Sequence, residues 1–267
     1  MIEVIFITME RWHCIDLVLR NMELAKKPKD TQILTVISGS NEYFNYVNGR
    51  LEKIFYKVKV VRNYETGVEH DEIRKEKEAN EKKTNNIFNA YRLALSNRDH
   101  SADYYWIIED DTLFPLDILN RYQAIMAGFY ADIVSGVSYY WHKEMLRNFW
   151  NIEVTKIFPD DTCQEISCNI SSMKQQNKGI IELGATGLGN VLIRSRAFKG
   201  WEPQYRIIEH GADIDFFAYA KINGFRAYGI WDIYLPHITK YENGDIAILG
   251  RLDKSLIQVI NKNNGKF

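Results

Sequence analysis

Short runs of β-branched and other apolar residues return along the first half of this chain, each separated from the next by a stretch with helical spacing. The runs fall at residues 4–8 (Val-Ile-Phe-Ile-Thr), 33–37, 56–61, 104–108 and 132–137. A strand inside a parallel sheet is covered on both faces, so it reads as a continuous apolar run rather than an alternation; only 56–61 alternates. Between the first two runs, Trp12, Ile15, Leu19 and Met22 recur on one helical face until Lys27-Pro28 stops it. Residues 43–54, 86–95 (through Ile87, Ala90, Leu93 and Ala94) and 115–128, opened by Pro115, predict three further helices. Strands and helices in alternation require crossovers of one hand, so the expected fold is α/β, a mainly parallel central sheet flanked by helices.

From Ser138 the pattern loosens. Tyr139-Tyr140-Trp141-His142 and Phe149-Trp150 are rich in rings, and 164–178 is polar. Residues 180–183 and 190–193 read as strands around Gly184-Ala185-Thr186-Gly187-Leu188-Gly189. A helix is expected over 212–222, stopped by Asn223-Gly224, then a last strand over 225–231. The tail is rich in lysine and asparagine, with a weak amphipathic piece at 252–260. Residues 69–83 mix both charges with only Ile73 and Ala79 as apolar anchors, which suits a solvated helix or a lid. No linker forces a cut, so one domain over 1–267 is expected, in halves 1–137 and 138–240 with a tail at 241–267.

At 267 residues and 46% hydrophobic, the chain can bury a full core without staples. A formal net charge of -1 gives no global attraction to nucleic acid or anionic lipid. Three cysteines, Cys14, Cys163 and Cys168, cannot all pair within the chain, and none forms a CxxC; reduced thiols in the cytoplasm are expected. The apolar run at the N-terminus is too short for a signal peptide, and no stretch approaches the roughly 20 apolar residues of a membrane helix. A soluble, cytoplasmic protein with no transmembrane segment is the expectation.

Glu109-Asp110-Asp111 ends the run at 104–108. Carboxylates there are costly unless something positive meets them, and ligands of open α/β sheets bind beyond the carboxyl ends of strands. Glu109 and Asp111 lie two apart, so both point to one side if strand geometry persists. Two hard oxygen ligands there suit Mg²⁺ or Mn²⁺, which would hold a diphosphate; equally, they suit the acidic cap of the helix opened by Pro115. The loop at 184–189 resembles a dinucleotide loop, but such a loop opens a helix. Here β-branched Asn190-Val191-Leu192-Ile193-Arg194 follows. The rings of 139–150 serve as a stacking platform for an acceptor or as ordinary core.

Trp106-Ile107-Ile108-Glu109-Asp110-Asp111-Thr112-Leu113-Phe114-Pro115 resembles the DxD region of GT-A glycosyltransferases, especially family 2. Asn89-Ala90 with Lys83 upstream is similar to that family's K-x-x-A-x-N-A helix. Asp213-Ile214-Asp215-Phe216 with Gly224-Phe225-Arg226 resembles its E-D-x-D-F…G-[FY]-[RK] segment, and His237 fits its late histidine. The resemblance implies a metal-dependent transferase that moves a sugar from a UDP- or GDP-sugar to an acceptor hydroxyl. Its acceptor could be a glycan, lipid, protein or modified nucleic acid. It further implies Glu109, Asp111 and His237 as ligands of Mn²⁺ or Mg²⁺, and Asp213 as general base of an inverting reaction with Asp215 beside it. On the nucleotide-sugar side it implies Thr8, Ser38, Lys83, Asn89, Asp110 (near the ribose) and Gly187, with 1–137 as the donor half and 138–240 as the acceptor half. Glu109 stands for the first Asp, Ala212 where a Glu is usual, and Ser38 where an Asp usually ends strand two. A retaining transferase of the same fold and a non-catalytic nucleotide- or sugar-binding module are the alternatives. A nucleotidyltransferase would need a glycine-rich phosphate loop where this chain has Thr8-Met9-Glu10-Arg11-Trp12.

Overall fold

A computed structural model describes residues 1–64, 77–140, 145–146, 149–159, 164–173, 178–203, 211–241 and 243–262. The first half follows the expected alternation: β1 (Ile2–Met9), α1 (Ile15–Leu24), β2 (Gln32–Ser38), α2 (Asn41–Ile54), β3 (Val58–Asn63), α3 (Lys77–Asn97), β4 (Tyr104–Glu109), α4 (Ile118–Phe129) and β5 (Ile133–Tyr140). After it come β6 (Met145–Leu146), β7 (Trp150–Pro159), β8 (Gln164–Ser172), β9 (Ile180–Glu182), β10 (Asn190–Arg194) and the short α5 (Ser195–Phe198). The chain then forms α6 (Ala212–Ile222), β11 (Ala227–Leu235), β12 (His237–Lys240), β13 (Ile246–Leu249) and α7 (Lys254–Lys262).

The central sheet runs β3-β2-β1-β4-β10-β5-β11-β9, with β6 paired to β5. β3, β2, β1 and β4 are parallel neighbours, as is the β5–β11 pair. β10 runs against both β4 and β5, and β9 against β11. All eight residues of β1 are buried, which is why its sequence shows no alternation. Val4 and Phe6 join one core with Trp106, Ile108 and helices α1, α2, α4 and α7. Ile5 and Ile7 join the other, with Tyr91 of α3 and Phe216 of α6. Each such fully buried side chain is worth about 1.5–3 kcal/mol against exposure.

Several elements depart from the sequence expectation. Helix α1 starts at Ile15, leaving Trp12 45% exposed and edge-on to Tyr43 at 5.0 Å between ring centres. Strand β3 begins at Val58 rather than 56, and Tyr56 projects into solvent. Residues 77–83 of the charged stretch belong to α3; the rest of that stretch, expected as a lid, lies outside the described residues. Polar 164–172 pairs with β7 as an antiparallel ribbon; Ile166, Cys168 and Ile170 alternate there, but the segment's overall polarity masks the strand. The ribbon docks on the glycine loop where Gly184 N donates to Trp150 O at 2.8 Å and Trp150 N to Ala185 O at 3.0 Å. A Cβ at Gly184 would sit 2.2 Å from Ile152 N, so only glycine permits this approach. Among the described residues, no helix is long and apolar enough to cross a membrane.

At the amino edge of the sheet, Glu3 is buried and accepts a hydrogen bond from Asp99 N at 2.7 Å. Burial pushes its carboxyl up from 4.5 to about 7. The folded chain therefore holds a proton that the unfolded chain releases, and stability falls as pH rises from 4.5 to about 7. Asp99, held down to about 2 chiefly by hydrogen bonds from Ser101 and Gln32, titrates below that window. Glu3→Gln is expected to remove roughly 1–3 kcal/mol of this pH-dependent loss. Denaturant melts at pH 5 and 8 check it; identical pH slopes for variant and wild type would refute the assignment.

Candidate functional site

Strands β1 and β4 lie side by side with Ile7 opposite Glu109, so their carboxyl ends open on the same edge. β4 stops at Glu109, and a turn follows in which Thr112 N donates to Glu109 O at 3.4 Å. The extended geometry does not persist: Glu109 turns to Tyr91, while Asp110 and Asp111 both reach Arg11. Asp110 is 3% exposed, its Oδ2 accepting from Thr8 Oγ1 and from Met9 N, each at 2.8 Å. Thr8 Oγ1 also pairs with the Tyr43 hydroxyl, and Cys14 Sγ donates to Asp110 O at 3.0 Å. Asp110 thus rivets the end of β1 to the end of β4. Asp111 lies beside it: Oδ2 pairs with Arg11 Nη1 and lies 3.3 Å from His237 Nε2, while Oδ1 accepts from Thr112 Oγ1 at 3.2 Å.

His237 arrives from far along the chain through backbone bonds. Leu113 N donates to Pro236 O at 2.8 Å and Ile238 N to Asp111 O at 2.7 Å. These make the acidic turn and the 236–238 segment a short antiparallel bridge, and the imidazole meets Asp111 as a result.

A cleft of 220 Å³ opens here, walled by Glu109, Thr112, Gly187, Gly189, Asp213 and His237, with Tyr91, Ser138 and Trp150 around them. Gly189 forms part of its floor because its carbonyl accepts from Glu109 N at 3.0 Å. A Cβ at Gly189 would come within 2.8 Å of Thr112 Oγ1 and 3.4 Å of Glu109 Oε2. Asp213 stands in the first turn of α6, its Oδ1 accepting from Ile214 N at 2.9 Å; a carboxylate there is favoured by the unpaired amides of a helix start. Desolvation pushes the Glu109 carboxyl up to about 7, with Asp213 and Asp110 adding to the effect and Arg11 opposing it. Tyr91 donates to Glu109 Oε1 at 3.3 Å. Its hydroxyl is raised well above the ordinary tyrosine range by burial, then by Glu109 and Asp213, so it stays a proton donor.

Of the residues expected at a site, Glu109, Asp213, His237 and Gly187 face this cleft. Asp215 is buried below α6, where its Oδ2 accepts from Trp201 Nε1 at 2.8 Å. Ser38 ends β2 opposite Asn63 of β3, and Asn63 receives a 3.0 Å bond from Asn89 Nδ2. These residues gather at the carboxyl ends of β2 and β3, on the far side of β1 from Asp213. Lys83 belongs to α3, and its side chain lies outside the described part. Two participants, Arg11 and Tyr91, were not expected. Tyr91 lies on the apolar face of its helix and reads as core from sequence; Arg11 carries no signal beyond following the first strand.

The arrangement does not fit a bound Mn²⁺ or Mg²⁺. Among the described residues, no three His, Cys, Asp or Glu side chains converge as a ligand set. Asp111 and His237 do meet, but Arg11 Nη1 stands against Asp111 and 3.1 Å from Asp110 Oδ1. Glu109 turns instead to Tyr91. A hard cation here would have to compete with the guanidinium for the same carboxylate oxygens and sit beside its charge.

No protein-family model and no curated protein matches the chain. Solved structures do. The 1–349 portion of S. aureus TarS superposes with a TM-score of 0.55 at 12% identity, covering 87% of this chain and 59% of that one. A longer TarS structure gives 0.56 at 12% identity, covering 87% and 36%. The 1–349 portion in complex with UDP-GlcNAc gives 0.54 at 12% identity, covering 96% and 60%. The fold is therefore of the GT-A type, a sheet with its first four strands parallel and helices on both faces. The chain spans 59% of the length of the TarS 1–349 structure.

Proposed function

We propose that this protein is a glycosyltransferase that moves a sugar from a nucleoside-diphosphate sugar, UDP- or GDP-linked, to an acceptor hydroxyl with inversion. The observation that carries the reading is that Asp213 and Glu109 share one glycine-floored cleft beyond the carboxyl ends of β1 and β4. In a GT-A fold that edge is where a nucleotide sugar would lie, and the similar TarS was crystallised with UDP and with UDP-GlcNAc. The donor half is 1–137, with Thr8, Ser38, Lys83 and Asn89 on the nucleoside side; 138–240 supplies the acceptor side.

In the step itself, the acceptor oxygen forms a bond to the anomeric carbon as the bond from that carbon to the diphosphate oxygen breaks. The electron pair leaves with the nucleoside diphosphate, and the acceptor proton passes to Asp213. A base in this role must lie within hydrogen-bond reach of the attacking hydroxyl, and the place of Asp213 on the cleft wall supports that role. Gly187 and Gly189 allow the donor sugar to approach backbone. Asp215, bonded to Trp201, fixes the start of α6 and through it the direction of Asp213. The divalent ion expected from sequence has no part in this reading, because Arg11 already pairs with both Asp110 and Asp111.

A panel of UDP- and GDP-sugars tests the proposal by thermal shift and by release of free nucleotide. A donor at 100 times its dissociation constant should stabilise the chain by about 2.7 kcal/mol, and slow release of UDP or GDP should accompany it. Stabilisation with no turnover on any acceptor would move the reading to a binding module. A panel that neither stabilises nor reacts would end it.

A further inference from the structure

Two buried carboxylates side by side are a liability unless a cation compensates them. Asp110 and Asp111 have side chains only 4% and 7% exposed, and Arg11, itself 16% exposed, reaches both through Nη1. This contact is held by backbone built for it. Immediately before Arg11 the chain bends at Glu10, which adopts a left-handed φ of 56°, a costly conformation for a residue with a Cβ. Glu10 is held there by the start of α2: Ser40 N donates to its Oε2 at 3.0 Å, and Ser40 Oγ to its Oε1. Gly39, at φ 139°, leaves the space Glu10 occupies, since a Cβ there would lie 2.8 Å from Glu10 Cβ. The bend turns the chain back across the end of β4 and delivers Arg11 to the two acids.

A guanidinium keeps its charge across the whole working pH range, so the compensation never lapses. An incoming divalent ion would have to break both pairs and sit beside a fixed positive charge. We infer that Arg11 is the permanent cation of this site, occupying the place against Asp110 and Asp111 that a divalent metal would take and excluding one from it. Where this bears on substrate it rests on the transferase reading: the diphosphate of a nucleotide sugar is then bound without metal, Arg11 holding down the negative charge of two acids that would otherwise repel it.

The metal arm of the test uses Mn²⁺ alone, titrated into the protein and followed by the EPR signal of the free ion. Wild type is expected to bind at least 100-fold more weakly than Arg11→Met, whose two acids are uncovered. Adding Asp111→Asn to that variant should abolish the gain. Arg11→Lys, which keeps the charge should the Met variant not fold, should still exclude Mn²⁺. The nucleotide arm uses UDP and GDP, each with EDTA or Mn²⁺: wild-type affinity should change less than twofold between the two conditions, and in EDTA Arg11→Met should bind at least tenfold more weakly than wild type. Tight Mn²⁺ binding by wild type, or nucleotide binding lost in EDTA, overturns the inference. UDP and GDP that both fail to bind under either condition, while wild type still excludes Mn²⁺, overturn the transferase reading and support Arg11 as the permanent cation.

Discussion

Asp213→Asn is expected to slow sugar transfer by about 10²–10⁴-fold, the usual contribution of a positioned base, while donor affinity stays within a few-fold. The substitution is nearly isosteric, and the amide oxygen can still accept the bond from Ile214 N that orients the carboxylate now. What disappears is the capacity to take up the acceptor proton. Single-turnover transfer measured beside equilibrium binding of UDP separates the two effects. Transfer at the wild-type rate would remove Asp213 from the chemistry. Glu109, the other carboxylate of the cleft, would then be the group to replace.

Asp110→Ala is expected to act mainly on the fold. Two 2.8 Å bonds from β1 converge on Asp110 Oδ2, and Arg11 stands 3.1 Å from Oδ1. Removing the acceptor leaves a buried hydroxyl, a buried amide and a guanidinium with one carboxylate fewer, a loss of about 2–5 kcal/mol. For a domain of this size that is a fall in melting temperature of roughly 5–15 °C. Differential scanning calorimetry decides the matter. A shift below about 2 °C would mean that Asp110 contributes little to joining β1 and β4, and its expected place beside the donor ribose would regain weight.

The parallel half was readable because burial on both sheet faces leaves a mark in the sequence. Residues 4–8, 33–37 and 104–108 are apolar or β-branched throughout, and they lie within β1, β2 and β4. The second half hid more. The ribbon of β7 and β8 pairs with itself rather than with the sheet; Trp150, Ile152 and Val154 alternate, as do Ile166, Cys168 and Ile170, but the polar residues around them outweigh the pattern. The β12–β13 hairpin lies in a tail whose composition suggested only a weak helix.

At the site, the order of motifs along the chain located the cleft, because Glu109, the glycine loop, Asp213 and His237 each close or open a regular element. Side-chain directions were not readable. The expectation that Glu109 and Asp111 share a side assumed that the strand continues, and the turn after Glu109 removes that premise. The pairing of Arg11 with residues about 100 positions later depends on the left-handed bend at Glu10. That bend follows from a tertiary contact with Ser40 and leaves no local pattern.

Strand β10 runs against both of its neighbours, and this has a bearing on how such a protein can diversify. A reversed strand brings its entrance, rather than its exit, to the edge of the sheet where the cleft opens. The glycine loop that lines the cleft is therefore a lead-in, fastened downstream by the ladder and upstream by the β7–β8 ribbon. Of residues 185–188 only Gly187 is not fully buried, so bulk can change there while every strand keeps its partners. On the transferase reading, that one position is where donor choice could be retuned at little expense to folding.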